Sequence, residues 1–293
     1  MKRLTVQHST TYRYRRPVAF GPHRMLLRPR DSHDLRLVSS RLLIDPEPRI
    51  RWMHDVFGNS VTLAEFQGKA DTLTIESVLT IERYALDRPA FELTPEAASY
   101  PFLYSPAELS DLGRLAEPHC PDPEGRLAAW ARRFVTHEGM DTRDLLAAMN
   151  GAIRGEFEYR VRDEEGTQDP LETFEKGGGT CRDYAFLMME AARHLGFAAR
   201  FVTGYLYDPA LDSGAAEGMV GAGATHAWCE IYLPGAGWVE YDPTNALIAH
   251  AALIRVAVTR DPAQASTISG SFIGAPEDYA GMDVVVNVRA GGG

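Results

Sequence analysis

A run of three glycines that ends in a cysteine is the feature that most constrains this 293-residue chain. The run, residues 177–179, leads through Thr180 and Cys181 into an apolar, helix-patterned segment, residues 185–195. The first N–H groups of a helix are unpaired and carry partial positive charge, so a thiol placed there loses its proton more easily. The pattern predicts a helix with Cys181 at its N-terminus. The glycines are expected to leave room for another chain to approach the sulfur.

A β-hairpin is predicted farther along the chain. One β-rich run extends from Thr225 to Leu233 and a second from Trp238 to Asp242, with Pro and Gly between them. The first run begins with His226 and the second ends with Asp242, so both residues are expected at the same end of the hairpin.

The length of the loop decides whether His226 and Asp242 can meet. If all four residues 234–237 form the loop, Asp242 faces Cys229 and lies on the opposite face from His226. A loop of three or five residues, or a bulge, moves Asp242 opposite Trp228 and onto the face of His226. Gly235 and Gly237 permit the left-handed backbone that such a loop requires. A contact between the two side chains therefore predicts an odd-length loop or a bulge.

Cysteine, histidine and aspartate form a chemically useful trio. A cysteine that attacks an amide needs a base and later an acid, and histidine serves both roles because its pKa lies near neutrality. A carboxylate on the far ring nitrogen fixes the tautomer and stabilises the imidazolium. Each residue also has an ordinary explanation: Cys181 as a buried apolar residue, His226 as a core histidine, and Asp242 as the start of a turn before Pro243. Their order and placement together favour the trio.

These segments resemble the transglutaminase-like superfamily, and within it the bacterial transglutaminase-like cysteine proteases. The resemblance extends from about Phe157 to Asn245 and rests on G-G-G-T-C-R-D-Y-A, G-F-A-A-R-F-V-T-G-Y, H-A-W-C-E-I-Y-L and G-W-V-E-Y-D-P-T-N. It implies that Cys181 is the nucleophile, His226 the base and Asp242 the orienting carboxylate. The implied fold is papain-like α+β, in which a helix carrying the nucleophile packs on an antiparallel sheet. The context of the cysteine differs from that in animal transglutaminases, so neither cross-linking nor calcium dependence is implied.

The remaining segments predict a chain of two parts. Short alternating runs up to about Tyr84 indicate a β-sandwich-like unit, and helices are expected over residues 124–135 and 141–156. The predicted division is a β-rich N-terminal domain with its connector, residues 1–120, and a transglutaminase-like core with a C-terminal β-like extension, residues 121–293. The predicted fold class is therefore α+β, a papain-like core preceded by a β-sandwich-like region.

The composition and motifs of the chain lead us to expect a soluble enzyme without a cofactor. The content is 45% hydrophobic and 24% charged, as in ordinary globular proteins. The three cysteines are far apart, and no CxxC or HExxH pattern appears, so neither disulfides, a metal nor a cofactor is expected. The N-terminus lacks the apolar stretch of a secretory signal, and no run of about 18 apolar residues could span a membrane. The expected location is the cytoplasm, where a thiol stays reduced.

Charge is distributed unevenly along the chain, whose formal net charge is −10. Residues 1–36 hold nine Lys or Arg against two Asp, so this segment carries +7. A basic strand with interleaved aromatic residues could bind single-stranded nucleic acid. Ion pairs with the acidic remainder of the chain are the favoured alternative, because a net-acidic chain repels phosphate. A protein or peptide substrate is expected, with no nucleic acid and no membrane partner, and the oligomeric state is left open.

Two functions follow from these patterns. The first is a cysteine-dependent enzyme that acts on amide bonds through an acyl-thioester, with transfer to water favoured over transfer to an amine. The second is a catalytically silent binding or scaffold module, because a fold alone does not establish activity.

Overall fold

The computed structural model describes residues 1–84, 91–161, 166–212 and 218–291. Within these ranges the strands are β1 (Lys2–Phe20), β2 (His23–Arg28), β3 (Leu35–Asp45), β4 (Arg49–His54), β5 (Ser60–Glu65), β6 (Ala70–Arg83), β7 (Ser99–Tyr100), β8 (Met140–Asp141), β9 (Glu158–Tyr159), β10 (Gly178–Gly179), β11 (Ala199–Leu206), β12 (Thr225–Leu233), β13 (Gly237–Asp242), β14 (Leu247–Ile248), β15 (Leu253–Thr259), β16 (Ile268–Ser269), β17 (Phe272–Ile273) and β18 (Tyr279–Ala290). The α-helices are α1 (Pro106–Leu112), α2 (Arg126–Arg132), α3 (Thr142–Glu156), α4 (Pro170–Lys176), α5 (Cys181–His194) and α6 (Pro209–Asp212). Short 3₁₀ helices occupy Gly113–Ala116, Pro262–Ala265 and Pro276–Asp278.

The N-terminal region is the predicted β-sandwich. One sheet has the order β17-β1-β6-β3, with β18 also paired to β1, and the other has the order β16-β2-β5-β4. Apolar side chains from both sheets meet between them, for example Ile75 of β6 and Met25 of β2, which are fully buried. Strand alternation produces this core, because alternate residues of each strand face the other sheet. We call this unit the N-terminal sandwich.

Strand β1 differs from the several short runs predicted for this part of the chain. It is continuous over 19 residues and pairs with both β6 and β18, with a shift of register after Arg13. A strand with two neighbours can continue through polar residues because every backbone group along it finds a partner. Strands β16, β17 and β18 all pair with β1 or β2, so the C-terminal extension joins the N-terminal sandwich.

The core consists of helices packed on an antiparallel sheet. This core sheet has the order β14-β13-β12-β11-β15, and α5 packs against β11 and β12. All residues of α5 except Arg182 and His194 are buried. Burying each large apolar side chain of such a helix contributes roughly 1.5–3 kcal/mol, so α5 is the centre of the core. Helix α3 lies within the helix predicted over residues 141–156, and its apolar stripe is fully buried: Leu145, Leu146, Met149 and Ile153.

A buried ion pair accompanies this apolar packing. Arg193 donates from Nη1 to Glu190 at 2.6 Å, and both side chains are fully buried. The other Glu190 oxygen accepts backbone N–H groups of His119 and Cys120 at 2.7 and 2.8 Å. Because each charge has partners, α5 can be buried on all sides. The hydrogen bonds of Glu190 also attach the connector that precedes α2 to this helix.

The N-terminal sandwich packs against the core sheet through apolar and polar contacts. Leu4, Leu79 and Val288 of the sandwich form one buried cluster with Tyr205 and Ile254 of the core sheet. A polar pair also crosses this boundary, because Nδ1 of His8 lies 2.9 Å from the Tyr205 hydroxyl.

The basic N-terminal segment is engaged in ion pairs, as the favoured alternative predicted. Arg3 and Arg36 pair with Glu82, and three other arginines of this segment pair with acidic residues: Arg13 with Asp283, Arg16 with Asp278, and Arg24 with Asp55. Among the described helices, none combines the length and the apolar character needed to cross a bilayer.

Candidate active site

Cys181 is the first residue of α5, where the sequence predicted it. The helix begins with a capping box, in which Asp183 Oδ2 accepts the N–H of Thr180 at 2.7 Å and its hydroxyl at 3.0 Å. The other oxygen, Asp183 Oδ1, accepts the N–H of Gln168 at 2.7 Å. These bonds fix the helix start and leave the N–H of Cys181 available beside its sulfur. The Cys181 residue is 8% exposed.

The glycines before Cys181 have a different role from the predicted one. A Cβ at Gly178 would lie 2.2 Å from the carbonyl oxygen of Glu158, and one at Gly179 would lie 2.8 Å from Asp183. Their missing side chains thus admit the chain's own strand β9 and the capping carboxylate. The expectation that they make room for an approaching chain is corrected, because this intramolecular packing already occupies the space.

The hairpin has the odd-length loop that the trio requires. Leu233 pairs with Gly237 and Cys229 with Tyr241, so the loop has three residues, Pro234 to Ala236. Gly235 and Gly237 have φ of +93° and +75°, the left-handed values expected there. Continuing this register places Asp242 opposite Trp228, on the face of His226.

His226 and Asp242 form a fully buried pair. Nε2 of His226 lies 2.9 Å from Asp242 Oδ2, and neither side chain is exposed. Asp242 also accepts the N–H of Thr244 at 3.0 Å and the side-chain amide of Asn245 at 2.9 Å. These donors hold the carboxylate in one orientation, and the carboxylate in turn holds the imidazole.

Each member of the pair shifts the pKa of the other so that the charged form is favoured. Burial on its own would lower the pKa of His226, but the charge and hydrogen bond of Asp242, followed by Cys181, outweigh it and raise the pKa to about 10. Burial would raise the pKa of Asp242, and the contacts with His226, Asn245 and Thr244 hold it below its ordinary value. An ion pair between imidazolium and carboxylate is therefore the favoured state near neutral pH.

Nδ1 of His226 is the nitrogen available to Cys181. It is buried and makes no hydrogen bond of good geometry within the described parts of the chain, while the thiol is near enough to raise the pKa of His226. Gly221, with φ of +90°, lies over this nitrogen, and a Cβ added there would come within 2.6 Å of Nδ1. The backbone at Gly221 thus forms a wall beside the nitrogen that would exchange a proton with the thiol.

Asn245 joins this wall to the buried pair. Its Oδ1 accepts the N–H of Val220 and its Nδ2 donates to the Val220 carbonyl, both at 3.0 Å. The same Nδ2 donates to Asp242. One amide therefore fixes both the carboxylate that orients His226 and the segment that covers His226. The sequence pattern did not single out Asn245 because an Asn in a polar turn is ordinary.

Replacing Asn245 by alanine should lower turnover of a peptide substrate by about 10- to 100-fold, a typical loss when a supporting hydrogen bond is removed. The reason is that Asp242 and Val220 both lose their shared partner. Steady-state kinetics with a thermal melt of each variant tests this. The matched control is Asn59→Ala, because the buried Asn59 bonds the backbone of Val258 and has no contact with the buried pair. Equal losses of activity in the two variants would contradict the positioning role.

Tyr159 is a second side chain that sequence patterns missed. It lies in β9, in register with Gly179 of β10, two residues before Cys181. Burial and then Cys181 raise the pKa of Tyr159 far above its ordinary value, so its hydroxyl stays protonated and can donate. Only the parallel pairing of two very short strands brings Tyr159 here, and pairs of two-residue strands leave no sequence signal.

Two aromatic residues close in sequence to Cys181 and His226, and the other two cysteines, are part of the packed structure. Trp228 and Tyr184 are fully buried, so they belong to the core. Cys229 is buried in the same apolar cluster as the residues of α5, and Cys120 lies in the connector. All three cysteines are free. Within the described ranges, His, Cys, Asp and Glu side chains do not gather in groups of three or more that could hold a metal ion.

The fold and the geometry of the candidate site together identify an architectural class. An α+β core carries a cysteine at the start of a buried helix, and a hairpin of the packed sheet carries a histidine–aspartate pair. This is the papain-like class of architecture. A solved structure of a candidate cysteine protease from Cytophaga hutchinsonii shares the fold, with a TM-score of 0.73 over 99% of this chain and 90% of that one, at 18% identity.

Sequence comparisons give the family. Residues 4–82 match the bacterial transglutaminase-like N-terminal region, and residues 128–243 match the transglutaminase-like superfamily. An uncharacterized protein of Mycobacterium tuberculosis is 30% identical over 299 residues, which cover 98% of this chain and 92% of the relative. One of Mycobacterium leprae is 27% identical over 289 residues, covering 98% and 99%. The chain belongs to the transglutaminase-like superfamily, and the predicted resemblance is confirmed.

Proposed function

We propose that this protein is a cysteine-dependent hydrolase of amide bonds in proteins or peptides. The observation that supports the proposal most strongly is the buried His226–Asp242 pair, whose free ring nitrogen is turned to a cysteine at a helix N-terminus. A histidine that was only structural would not need a charged partner in a fully buried position, because burying charge is costly. Membership of the transglutaminase-like superfamily agrees with the proposal.

The proposed reaction begins with a thiolate. Protonated His226 stabilises the Cys181 thiolate, which attacks the substrate carbonyl carbon and forms a carbon–sulfur bond. The electron pair of the carbonyl moves to its oxygen. The backbone N–H of Cys181 and the hydroxyl of Tyr159 are the proposed donors to that oxyanion.

The second stage releases the products. When the tetrahedral intermediate collapses, the carbon–nitrogen bond breaks and His226 gives its proton to the departing amine. His226 is then neutral and takes a proton from water, whose oxygen attacks the acyl-thioester. Collapse of the second intermediate breaks the carbon–sulfur bond, which releases a carboxylic acid and restores the Cys181–His226 pair. An amine in place of water would give transamidation by the same steps.

The proposal includes the setting in which the enzyme works. A reducing environment protects a nucleophilic thiol from oxidation, so we place the protein in the cytoplasm. The partner is a protein or peptide substrate, with no role for nucleic acid, a membrane or a cofactor. The ion pairs made by the arginines of the N-terminal segment support the part of this proposal that concerns nucleic acid.

Alkylation with iodoacetamide tests for the nucleophile. Cys181 should react fastest, because burial raises the pKa of both the Cys120 and the Cys229 thiols and keeps them protonated. Mass spectrometry of tryptic peptides gives the three rates. Similar slow labelling of all three cysteines would favour the silent binding module instead. Incubating a glutamine-containing peptide with and without a primary amine then separates transfer from hydrolysis.

A further inference from the structure

A cleft lies between the N-terminal sandwich and the core sheet. It consists of two adjoining cavities of about 190 and 360 Å³. Both are lined by Asp34 and Arg83 of the sandwich and by Glu240 and Arg255 of the core sheet. We call this space the inter-sheet cleft. The larger cavity falls within the range of small-molecule sites.

Arginine N–H groups outnumber acceptors on the core side of the cleft. Arg200 Nε and Arg255 Nη1 donate to the two oxygens of Glu230 at 2.6 and 2.7 Å. Each guanidinium has five N–H donors, whereas both oxygens of Glu230 now have a partner. These bonds hold both cations in place, and each guanidinium has further N–H groups that can donate to another acceptor.

The sandwich side contributes a donor with no partner. Arg83 donates from Nη1 to Asp34 Oδ2, while Asp34 Oδ1 accepts the hydroxyl of Ser32 at 2.6 Å. The Arg83 side chain is 5% exposed, and its Nε is buried with no hydrogen-bond partner among the described residues. Leaving a buried charged donor unpaired is unfavourable, so this atom points to an acceptor that the described residues do not supply.

Glu240 does not neutralise these arginines. It lies directly opposite Glu230 in the β12–β13 register, so two carboxyl groups are neighbours. Burial and then Glu230 raise the pKa of Glu240 to about 8, against the smaller effects of Arg83 and Arg255. Glu240 therefore ionises less readily than an ordinary glutamate and is a weaker partner for the arginines.

Among the described residues, arginines outnumber the carboxyl groups that pair with them in the cleft. Arg83 pairs with Asp34, whereas Arg200 and Arg255 share Glu230. A further arginine and aspartate, residues 30 and 31, line the smaller cavity and offset each other. Within the described part of the cleft, one further anionic group would give each of the three arginines a partner of its own.

The larger cavity also has an apolar wall. Phe91, Trp238 and Val239 line it together with two alanines, and Arg83 and Arg255 line the same cavity. Arg200 stacks over the Trp238 ring at 4.0 Å, which holds that ring in place. A wall of this kind suits a ligand with an apolar body and one anionic end.

We propose that the inter-sheet cleft binds an organic monocarboxylate with an apolar body. Its carboxylate contacts Arg83 and Arg255, and its body packs on Trp238 and Phe91. A free acid and the C-terminal residue of a peptide share this chemistry. The site is independent of the proposed hydrolysis, although the two are close in the chain: Glu240 is two residues from Asp242 on β13.

Isothermal titration calorimetry of the full chain tests the site, with 3-phenylpropionate as the probe and 3-phenylpropionamide as its uncharged counterpart. The protein is first alkylated at Cys181, so that the candidate active site is blocked. The acid should bind with 1:1 stoichiometry and about tenfold or more tightly than the amide, since a charged hydrogen-bonded pair is lost in the amide. A peptide that ends in phenylalanine, with a free or an amidated C-terminus, is titrated in the same way. Binding of the free-ended peptide shows that the cleft accepts a peptide C-terminus as well as a small free acid.

Variants complete the test. Arg83→Gln should weaken binding of the acid by about tenfold or more. Arg3→Gln is the matched control, because Arg3 is an exposed arginine of the same sandwich that pairs with Glu82, and it should not change the affinity. Equal affinity for acid and amide, unchanged binding by Arg83→Gln, or no binding of either the acid or the free-ended peptide would overturn the proposal. The comparison of acid with amide uses unmutated protein, so it stands even if Arg83→Gln does not fold.

Discussion

Cys181→Ala should abolish amide hydrolysis, lowering the rate by about 10⁴-fold or more, because removing the nucleophile removes the covalent route. The fold should survive, because the change deletes one small sulfur at the start of α5 and keeps the capping box of Thr180 and Asp183. Turnover of a peptide substrate and thermal unfolding, measured on the same preparation, test both parts.

Cys120→Ala is the matched control for this variant. Cys120 lies in the connector away from the His226–Asp242 pair, so its replacement should leave turnover unchanged. If Cys181→Ala retains the activity of the unmutated protein, the nucleophile is wrong. If Cys181→Ala unfolds, Cys181→Ser is the alternative, because it keeps the shape of the side chain and should lose comparable activity.

Asp242→Asn should have the second largest effect and should act on stability as well as on turnover. The substitution leaves His226 buried without a carboxylate, so the pKa of His226 falls and the imidazolium can no longer support the thiolate. Turnover should fall by about 10²- to 10⁴-fold. Breaking one side of a buried ion pair typically costs about 3–5 kcal/mol in unfolding free energy.

The pH dependence of that stability loss is specific. The pKa of His226 is raised from 6.5 to about 10, so this contribution to stability is complete below pH 6.5 and is lost as the pH rises through about 10. The pKa of Asp242 is lowered from 3.8, so its contribution is complete above that value and is lost as the pH falls through the lower folded-state pKa. The difference in unfolding free energy between the protein and Asp242→Asn should therefore be largest from about pH 4 to 6.5 and shrink on both sides.

Urea unfolding at a series of pH values measures this difference. Asp278→Asn is a suitable control, because Asp278 is a buried aspartate paired with Arg16 in the N-terminal sandwich, away from the core sheet. Asp278→Asn should leave turnover unchanged. Its difference in unfolding free energy from the unmutated protein should not shrink between pH 6.5 and 10. A difference for Asp242→Asn that stays constant over that range would show that His226 is not the coupled partner.

Much of the site could be predicted because its parts are local. The helix start at Cys181 follows from a glycine run before an apolar segment, and the hairpin follows from two β-rich runs around Pro and Gly. The odd-length loop follows from strand alternation, since without a bulge only an odd count places Asp242 on the face of His226. Gly235 and Gly237 were recognisable because they can adopt the left-handed backbone.

The parts that could not be predicted depend on contacts between distant segments. Tyr159 comes near Cys181 only because β9 pairs with β10, and Asn245 holds Val220 across a 25-residue separation. The role of the glycines was misjudged for the same reason, because the strand that fills their space carries no local signal. The long strand β1 was divided into short runs because its polar stretches are stabilised by neighbours on both sides.

The pairing of β18 with β1 has a consequence for how the chain is made. The core lies in sequence between strands of one sandwich, because β1 pairs with both β6 and β18. During synthesis, β1 can find β6 early but must wait for β18 until all the residues of the core have emerged. Until then one edge of a 19-residue strand is open to pairing with other chains. Completion of the sandwich and closure of the inter-sheet cleft are therefore late events in folding, and they occur around a core that can already be in place.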